Sequence, residues 1–187
     1  ESATATTAVV SLPTTAQGDA GGGLVTAAIT GGTCFGFAPG STAFTPALTP
    51  LPPGITFPYG VFGFTAVCPA GGTLILTVTY PNPLPPGTRY WKYGPTSDEP
   101  TPHWYVLPSP QAVIANNTAT FTITNGGLGD DDLNATNNFI VDQGGPGVPA
   151  DGAAGDATGI PTLSEWALLA FSALLGSLVW RARRRAG

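Results

Sequence analysis

The feature that most constrains the fold is a short-range alternation of apolar and threonine residues. In residues 118–124, Ala119, Phe121 and Ile123 alternate with threonines, and residues 73–80 show a similar pattern. Successive side chains of a β-strand point to opposite faces, so such segments predict strands with one buried face and one wet face. The chain is therefore expected to be built mainly from sheets.

Further segments of strand character lie between Pro and Gly turn signals. They are residues 4–10, 24–30, 61–67, 90–93, 104–107, 111–115 and 139–141. About nine strands suit a β-sandwich, and we predict a mainly β fold of the Ig-like or jelly-roll type over residues 1–143. Because only five residues separate them, 61–67 and 73–80 are expected to form a hairpin.

Cys34 and Cys68 are the only cysteines. Two cysteines without neighbouring histidines cannot complete a four-ligand zinc site, so a disulfide is the favoured interpretation, with two buried free thiols as the alternative. A disulfide requires an oxidising compartment. The chain begins at Glu1 without an initiating Met, which favours a mature, cleaved end and hence export.

The net charge of −5 is unevenly distributed along the chain. Residues 1–160 carry ten acidic groups against only Arg89 and Lys92, a net −8, whereas the last 27 residues carry four arginines against Glu165, a net +3. The negative charge of residues 1–160 repels phosphate, which argues against nucleic-acid binding.

Residues 144–159 consist mostly of Gly, Ala, Pro and Asp and predict a flexible linker. A long hydrophobic α-helix is predicted next, over 163–185, with Thr162 as N-cap and Glu165 as its capping-box partner. Its 15 uncharged residues, 166–180, extend about 22 Å and can just span a bilayer.

This predicted helix carries the residues assigned to anchoring or assembly. Small residues on one face would let copies of the helix approach closely, and tryptophans and arginines at its ends are typical of a membrane interface. A homo-oligomer and at least transient membrane contact are the expected partners. The assigned residues are Pro161, Glu165, Trp166, Ala170, Ala173, Gly176, Ser177, Trp180, Arg181, Arg183, Arg184 and Arg185.

The run Ile-Pro-Thr-Leu-Ser-Glu-Trp-Ala at 160–167, followed by a hydrophobic stretch and terminal arginines, resembles the IPTL-CTERM sorting signal of Gram-negative bacteria. Ala167 stands where members of that family usually have Gly. The resemblance implies export to the envelope or cell surface and handling by an exosortase-type membrane enzyme.

Residues 90–147 look like a choice-of-anchor U domain. The resemblance rests on Tyr-Trp-Lys-Tyr-Gly-Pro at 90–95, Pro-His-Trp-Tyr at 102–105, the Gly-Gly-Leu-Gly-Asp-Asp-Asp run at 126–132 and Val-Asp-Gln-Gly-Gly-Pro-Gly at 141–147. It implies a surface role without a catalytic activity.

Two groups of polar residues are candidate sites. The first group offers carboxylate and amide oxygens, which are hard ligands that suit calcium. A solvated acidic turn explains the same residues equally well. The residues of this group are Asp130, Asp131, Asp132, Asn134 and Asp142. His103 is the sole histidine, and no nucleophile-elbow pattern accompanies any serine. We expect it in an aromatic cluster with Trp91, Tyr93, Trp104 and Tyr105, for packing or for carbohydrate stacking, and we predict no enzymatic activity.

Two functions fit this sequence. The favoured one is a self-assembling extracellular structural subunit of a filament or layer, with C-terminal helices packed in its core. The alternative is a monomeric, membrane-anchored surface protein whose β-domain binds a glycan or another envelope protein.

Overall fold

The structure is a computed structural model that describes residues 11–150. The predicted strand at 4–10, the predicted helix and its anchor residues lie outside these residues. Within 11–150 the chain forms twelve strands: β1 Thr15–Gly18, β2 Val25–Gly32, β3 Gly36–Phe37, β4 Ala43–Thr45, β5 Ile55–Thr56, β6 Val61–Val67, β7 Thr73–Thr79, β8 Arg89–Gly94, β9 His103–Val106, β10 Ala112–Ala115, β11 Thr118–Thr124 and β12 Phe139–Pro149.

The strands form two antiparallel sheets, which confirms the mainly β prediction. The five-stranded sheet has the order β1-β2-β7-β11-β10. The seven-stranded sheet has the order β3-β6-β12-β8-β9, with β4 also paired to β6 and β5 to β12. No helix occurs in residues 11–150, so this part of the chain contains no helix long and apolar enough to cross a membrane.

The predicted alternation is followed closely in the five-stranded sheet. Phe121 of β11 pairs with Leu76 of β7, and both are buried. On the outer face, the Thr77 hydroxyl lies 3.1 Å from that of Thr30 and 3.0 Å from that of Thr120, which forms a ladder across three strands. The threonines thus satisfy one another on the wet face while the apolar residues fill the core.

One core lies between the two sheets. Leu74, Leu76 and Val78 enter it from β7, and Phe62 and Phe64 enter it from β6. Cross-sheet contact is direct, because the Tyr90 ring of β8 lies 4.3 Å from the Phe121 ring, centroid to centroid. The two antiparallel sheets therefore pack as a sandwich around shared apolar side chains.

The predicted hairpin of β6 and β7 is wrong. Strand β6 pairs with β3, β4 and β12, whereas β7 pairs with β2 and β11 in the other sheet. The connection 68–72 instead crosses between sheets, where Gly71 donates its N–H to the Ala135 carbonyl and Gly72 accepts from the Asn125 N–H. Both strands alternate toward the same core, so their pattern is identical whether they share a sheet or face each other.

Strand β12 also departs from the sequence analysis, since it continues eight residues beyond 141 into the segment assigned to the linker. The glycines there permit close backbone approach. A Cβ atom on Gly145 would overlap the Gly60 carbonyl oxygen, and one on Gly147 would overlap the Trp91 side chain. Glycine-rich sequence at 144–147 is thus strand, paired to β8, because ladder hydrogen bonds need no side chains.

Cys34 and Cys68 form the predicted disulfide. Cys34 lies between β2 and β3, and Cys68, which is fully buried, follows β6. The bond closes the chain at the point where it crosses from one sheet to the other.

Candidate functional site

The most unusual group in the core is a lysine in contact with an aspartate. Inward-facing positions on β8 are Tyr90, Lys92 and Gly94. Lys92 pairs with Gly144 of β12, and Asp142 lies two residues along the same face of β12. The Lys92 Nζ contacts Asp142 Oδ2, and both side chains have 0% exposure. Charged side chains are almost never fully buried without a specific partner.

Two glycines leave room for this pair. A Cβ on Gly144 would lie 2.8 Å from the Lys92 Cδ and 3.0 Å from the Tyr90 Cε1. A Cβ on Gly94 would overlap the Asp131 carboxylate. The missing side chain at Gly144 therefore leaves space for the aliphatic part of Lys92, and the one at Gly94 leaves space for the Asp131 carboxyl group.

Aromatic rings enclose the lysine. Its Nζ lies 4.3 Å from the centroid of the Phe121 ring in the opposite sheet and 5.4 Å from that of Tyr90. Ring faces attract a cation, but they offer no hydrogen-bond acceptor comparable with water. The nitrogen is thus held between the sheets in a largely apolar enclosure.

The loop after β11 supplies two further carboxyl groups. Asp130 Oδ2 accepts from the Gly126 N–H at 2.7 Å, and its Oδ1 accepts from the Val141 N–H at 3.0 Å. The Asp131 N–H donates to the Val141 carbonyl at 2.7 Å. These bonds fasten the loop to β12 beside Asp142, so Asp131 is fixed close to the lysine pair.

Burial shifts the ionisation of all three groups toward their neutral forms. Desolvation lowers the pKa of Lys92, against the opposing effect of Asp142. Desolvation also raises the pKa of Asp142 to about 6 and that of Asp131 to about 8, and Lys92 opposes both rises. In a low-dielectric enclosure the charged forms are disfavoured.

Two carboxyl oxygens in this group have no hydrogen-bond partner within residues 11–150. They are Oδ1 of Asp131 and Oδ1 of Asp142. Half-buried Tyr105 of β9 lies nearby, and its pKa is raised by desolvation and by the charges of Asp142 and Asp131. The site is a sealed lysine with two carboxyl groups, one in contact and one adjacent.

The structure separates the five residues of the predicted calcium site. Asp130, Asp131 and Asp142 lie with Lys92, whereas Asp132 and Asn134 are exposed. The two exposed residues form hydrogen bonds within their own turn. Asp132 Oδ1 accepts from the Asn134 N–H, and Asn134 Oδ1 accepts from the Thr136 hydroxyl, both at 2.8 Å. Among residues 11–150, no group of three or more His, Cys, Asp or Glu side chains is arranged to hold a metal. Calcium binding at these residues stays a prediction.

The structure divides the predicted aromatic cluster, since His103 contacts Tyr105 whereas Tyr93 contacts Trp104. The Trp104 ring stacks on Phe57 at 4.6 Å and meets Tyr93 edge-on at 5.2 Å, while its Nε1 donates to the carbonyls of Leu48 and Pro50 at 3.3 and 3.1 Å. These contacts hold the Pro-rich loop before β6 against β9. The polar tip of this indole is occupied by the protein itself.

His103 is the first residue of β9 and is half-buried. Its Nδ1 is 2.9 Å from the Thr101 carbonyl oxygen, and its ring centroid is 5.6 Å from that of Tyr105. Glu99 approaches it at 3.9 Å on the surface. The arrangement is that of a packed histidine at the start of a strand.

Sequence reasoning missed Lys92. The signal was present, because strict alternation in Tyr-Trp-Lys-Tyr places Lys92 on the same face as Tyr90. Its partner Asp142 was noticed only as a calcium ligand. Nothing local to either residue indicates that the two strands lie side by side.

Comparison with family models identifies an IPTL-CTERM motif at residues 158–185. This is a C-terminal sorting signal of secreted surface proteins, and it matches the segment singled out from the sequence. The resemblance of residues 90–147 to a choice-of-anchor U domain is not confirmed. Neither characterised proteins nor solved structures give a match to the chain.

Proposed function

We propose that this chain is a non-catalytic structural protein of the Gram-negative cell surface whose copies assemble through their C-terminal segments into a filament or layer. The observation that carries the proposal is the sorting motif at 158–185 behind a disulfide-closed β-sandwich. Motif and disulfide together point to export and to a cell-surface or extracellular location. A displayed domain on a sorted tail is the organisation that a surface subunit requires.

The interior of the sandwich supports a structural role. Two of its titratable groups with shifted pKa values, Lys92 and Asp142, have no exposed side-chain surface with which to meet a substrate. Perturbed ionisable groups mark catalytic sites when they line a cleft, and here they lie between two sheets instead. Strong internal fixation is useful to a protein that must persist outside the cell.

Assembly is supported by the sequence of the predicted helix. Ala173, Gly176 and Ser177 fall on one face at helical spacing, where small residues allow close approach of neighbouring helices. The uncharged run 166–180 is short for a bilayer span, and burial among copies would also remove it from water.

Electron microscopy of the full-length chain, extracted from a host that exports it, tests this proposal. Regular fibres or sheets are expected, and Gly176→Leu or Ala173→Leu should disperse them. Leu175→Phe enlarges a side chain on the opposite side of the predicted helix and serves as the control that should still assemble. Monodisperse single chains from the unaltered protein would overturn the assembly proposal.

The same preparation addresses the glycan-binding alternative. The internal bonding of Trp104 gives that alternative little support, because a stacking platform needs an exposed ring face. Binding of a glycan array by monomers, lost on Trp91→Ala, would favour it.

A further inference from the structure

We propose that Lys92 and Asp142 join through an intramolecular amide bond, from Nζ to Cγ, which links β8 covalently to β12. The inference goes beyond the proposed function and does not depend on assembly. It starts from the contact between Lys92 Nζ and Asp142 Oδ2, which places the amine beside the carboxyl group whose carbon it would attack. Reacting groups held in contact gain an effective molarity of about 10⁵ M or more over free solution.

The charge of the enclosure favours condensation over a lasting ion pair. Among residues 11–150 only Arg89 and Lys92 are Lys or Arg, and Arg89 is exposed. A charged Lys92 would face Asp142, Asp131 and Asp130, whose carboxyl groups all act on it. An amide bond removes the lysine and Asp142 charges together, and a protonated Asp131 leaves no charge on those three side chains. Neutral groups are far less costly than ions in a dry interior.

Asp131 is placed to move the proton. Its Oδ1 and that of Asp142 are the carboxyl oxygens of the site without a hydrogen-bond partner in residues 11–150, and Gly94 provides the space that Asp131 occupies. The raised pKa of Asp131, about 8, keeps this carboxyl group protonated at neutral pH. A protonated Asp131 can donate to the Asp142 carbonyl oxygen and increase the electrophilicity of Cγ.

The reaction balances without an oxidant, reductant or cofactor. A proton passes from the lysine ammonium to the Asp142 carboxylate, giving a neutral amine and a neutral acid. The Nζ lone pair attacks Cγ while Asp131 donates its proton to the carbonyl oxygen. Asp131 then takes a proton from Nζ and passes it to one of the two hydroxyl groups on Cγ. That C–O bond breaks and water leaves, while the remaining hydroxyl returns its proton to Asp131 and becomes the amide carbonyl. One N–H and one C–O bond are replaced by the C–N bond and one O–H bond of water.

The enclosure explains why the bond would persist. Phe121 and Tyr90 cover the nitrogen, and neither Lys92 nor Asp142 reaches solvent. Hydrolysis needs water at Cγ, and the sheets exclude it. Condensation therefore follows folding, because only the folded sandwich brings the two strands together and keeps bulk water out.

Mass spectrometry of the full chain, denatured after purification, tests the bond directly. The oxidised protein should be lighter than its sequence, corrected for the disulfide hydrogens, by the mass of one water molecule. Trypsin sharpens the result, because Arg89, Lys92 and Arg181 are the first three cleavage sites. An amidated Lys92 resists cleavage, so one looped peptide 90–181 replaces peptides 90–92 and 93–181.

Three variants and one control complete the test. Lys92→Arg and Asp142→Ala should restore the full mass, and Asp131→Asn should leave most of the chain uncondensed while the disulfide and β-sheet circular dichroism are retained. Asp132→Asn changes the exposed neighbour and should still condense. A full-mass wild-type chain that yields peptide 90–92 overturns the proposal even if every variant fails to fold.

Two other reactions give the same mass change. Asp151-Gly152 can close to a cyclic imide and Glu1 to a pyroglutamate, each with loss of water, and the pyroglutamate falls in peptide 1–89. Mild alkali reopens an imide but leaves the side-chain amide intact, and fragment ions of peptide 90–181 locate the link. A water loss that alkali reverses, or that maps to Asp151, also overturns the proposal. None of these masses depends on filament formation, so the proposed amide bond and the proposed assembly can each be contradicted without the other.

Discussion

Lys92 occupies a core position because its neighbours lack the side chains that would otherwise fill that space. Gly144 lies across the ladder from it and Gly94 lies two residues along its own strand. The alternation of side chains along β8 predicts that Lys92 points inward, but the space for its side chain depends on the glycine that pairs with it. Lys92 and Gly144 are far apart in the sequence, so the residue pattern could not predict that they pair.

The space beside Gly94 is the first feature to test. Gly94→Ala introduces a methyl group where the Asp131 carboxylate lies, and we expect destabilisation by about 1–3 kcal/mol as that loop is displaced. Gly63→Ala in β6 is the matched control, since its nearest neighbours would be at 3.7 and 3.8 Å, ordinary contact distances. Urea unfolding of both variants gives the comparison, and equal midpoints would contradict the expectation.

Asp131 should make the domain less stable as pH rises. Its folded pKa of about 8 exceeds the unfolded value near 4, so the folded state binds the proton more tightly and stability is lost between those values. Asp142, Lys92, Asp130 and Tyr105 face the same site. Asp142, whose pKa is raised to about 6, also lowers the stability as the pH rises to about 6. Lys92, whose pKa is lowered, changes the stability in the opposite direction. Neither effect applies if the two side chains are joined by an amide bond.

The measurement is the urea midpoint at about pH 5 and about pH 8.5. Wild-type protein should have the lower midpoint at the higher pH, and Asp131→Asn should reduce that difference. Asp132→Asn, at an exposed position, should behave as wild type. A difference that is the same in Asp131→Asn and wild type would rule out this role for Asp131.

At the scale of elements, strand positions were predictable and strand partners were not. Residues 118–124 and 61–67 match β11 and β6 residue for residue, because period-two alternation is a local property. The false hairpin came from a short connection whose direction is set by partners far away, β12 for one strand and β11 for the other. The second half of β12 was not predicted because the Gly-Gly-Pro-Gly sequence at 144–147 lacks the alternating apolar side chains that indicate a strand.

The disulfide should contribute substantially to the stability of the fold. It joins residues 34 positions apart, and closing a loop of that length stabilises by roughly 3 to 4 kcal/mol in the chain-entropy model. Cys34→Ala with Cys68→Ala should lower the free energy of unfolding by about this amount, measured in urea. Ser41→Ala changes a residue inside the same loop and is expected to cost about 1 kcal/mol at a partly buried site, because the Ser41 hydroxyl donates to the Ala38 carbonyl and accepts from the Thr65 N–H. An equal loss in both proteins would show that the bond adds nothing.

Phe121 connects the two sheets and should be equally important. It is 1% exposed and packs on Tyr90 from the opposite sheet. Phe121→Ala should cost about 3–5 kcal/mol through the cavity that it leaves, whereas Val113→Ala, at a half-exposed position on neighbouring β10, should cost far less. Thermal unfolding separates the two, and similar melting temperatures would contradict the assignment of Phe121 to the core.

At the scale of the whole molecule, the described sandwich contains its own core, which runs from Val25 to Ile140. Residues 1–157 should therefore unfold at the same temperature as the full chain, within about 2 °C. Residues 1–143, which end at the sequence-predicted domain boundary, remove six residues of β12 and should be markedly less stable. Calorimetry of the two truncations decides where the domain ends, and equal stability would restore the earlier boundary.

Strand β12 has a mechanical consequence. It is the central strand of its sheet, lies between β6 and β8, and is the last element of residues 11–150, on the side of the chain that bears the sorting motif at 158–185. A pull on a tail fixed at the cell surface would enter the domain through this strand and load its ladder from residue 149 backward. A covalent joint at Asp142 would stop the peeling after seven residues and pass the tension directly to β8. The extensible part of the domain would then be set by the position of one side chain.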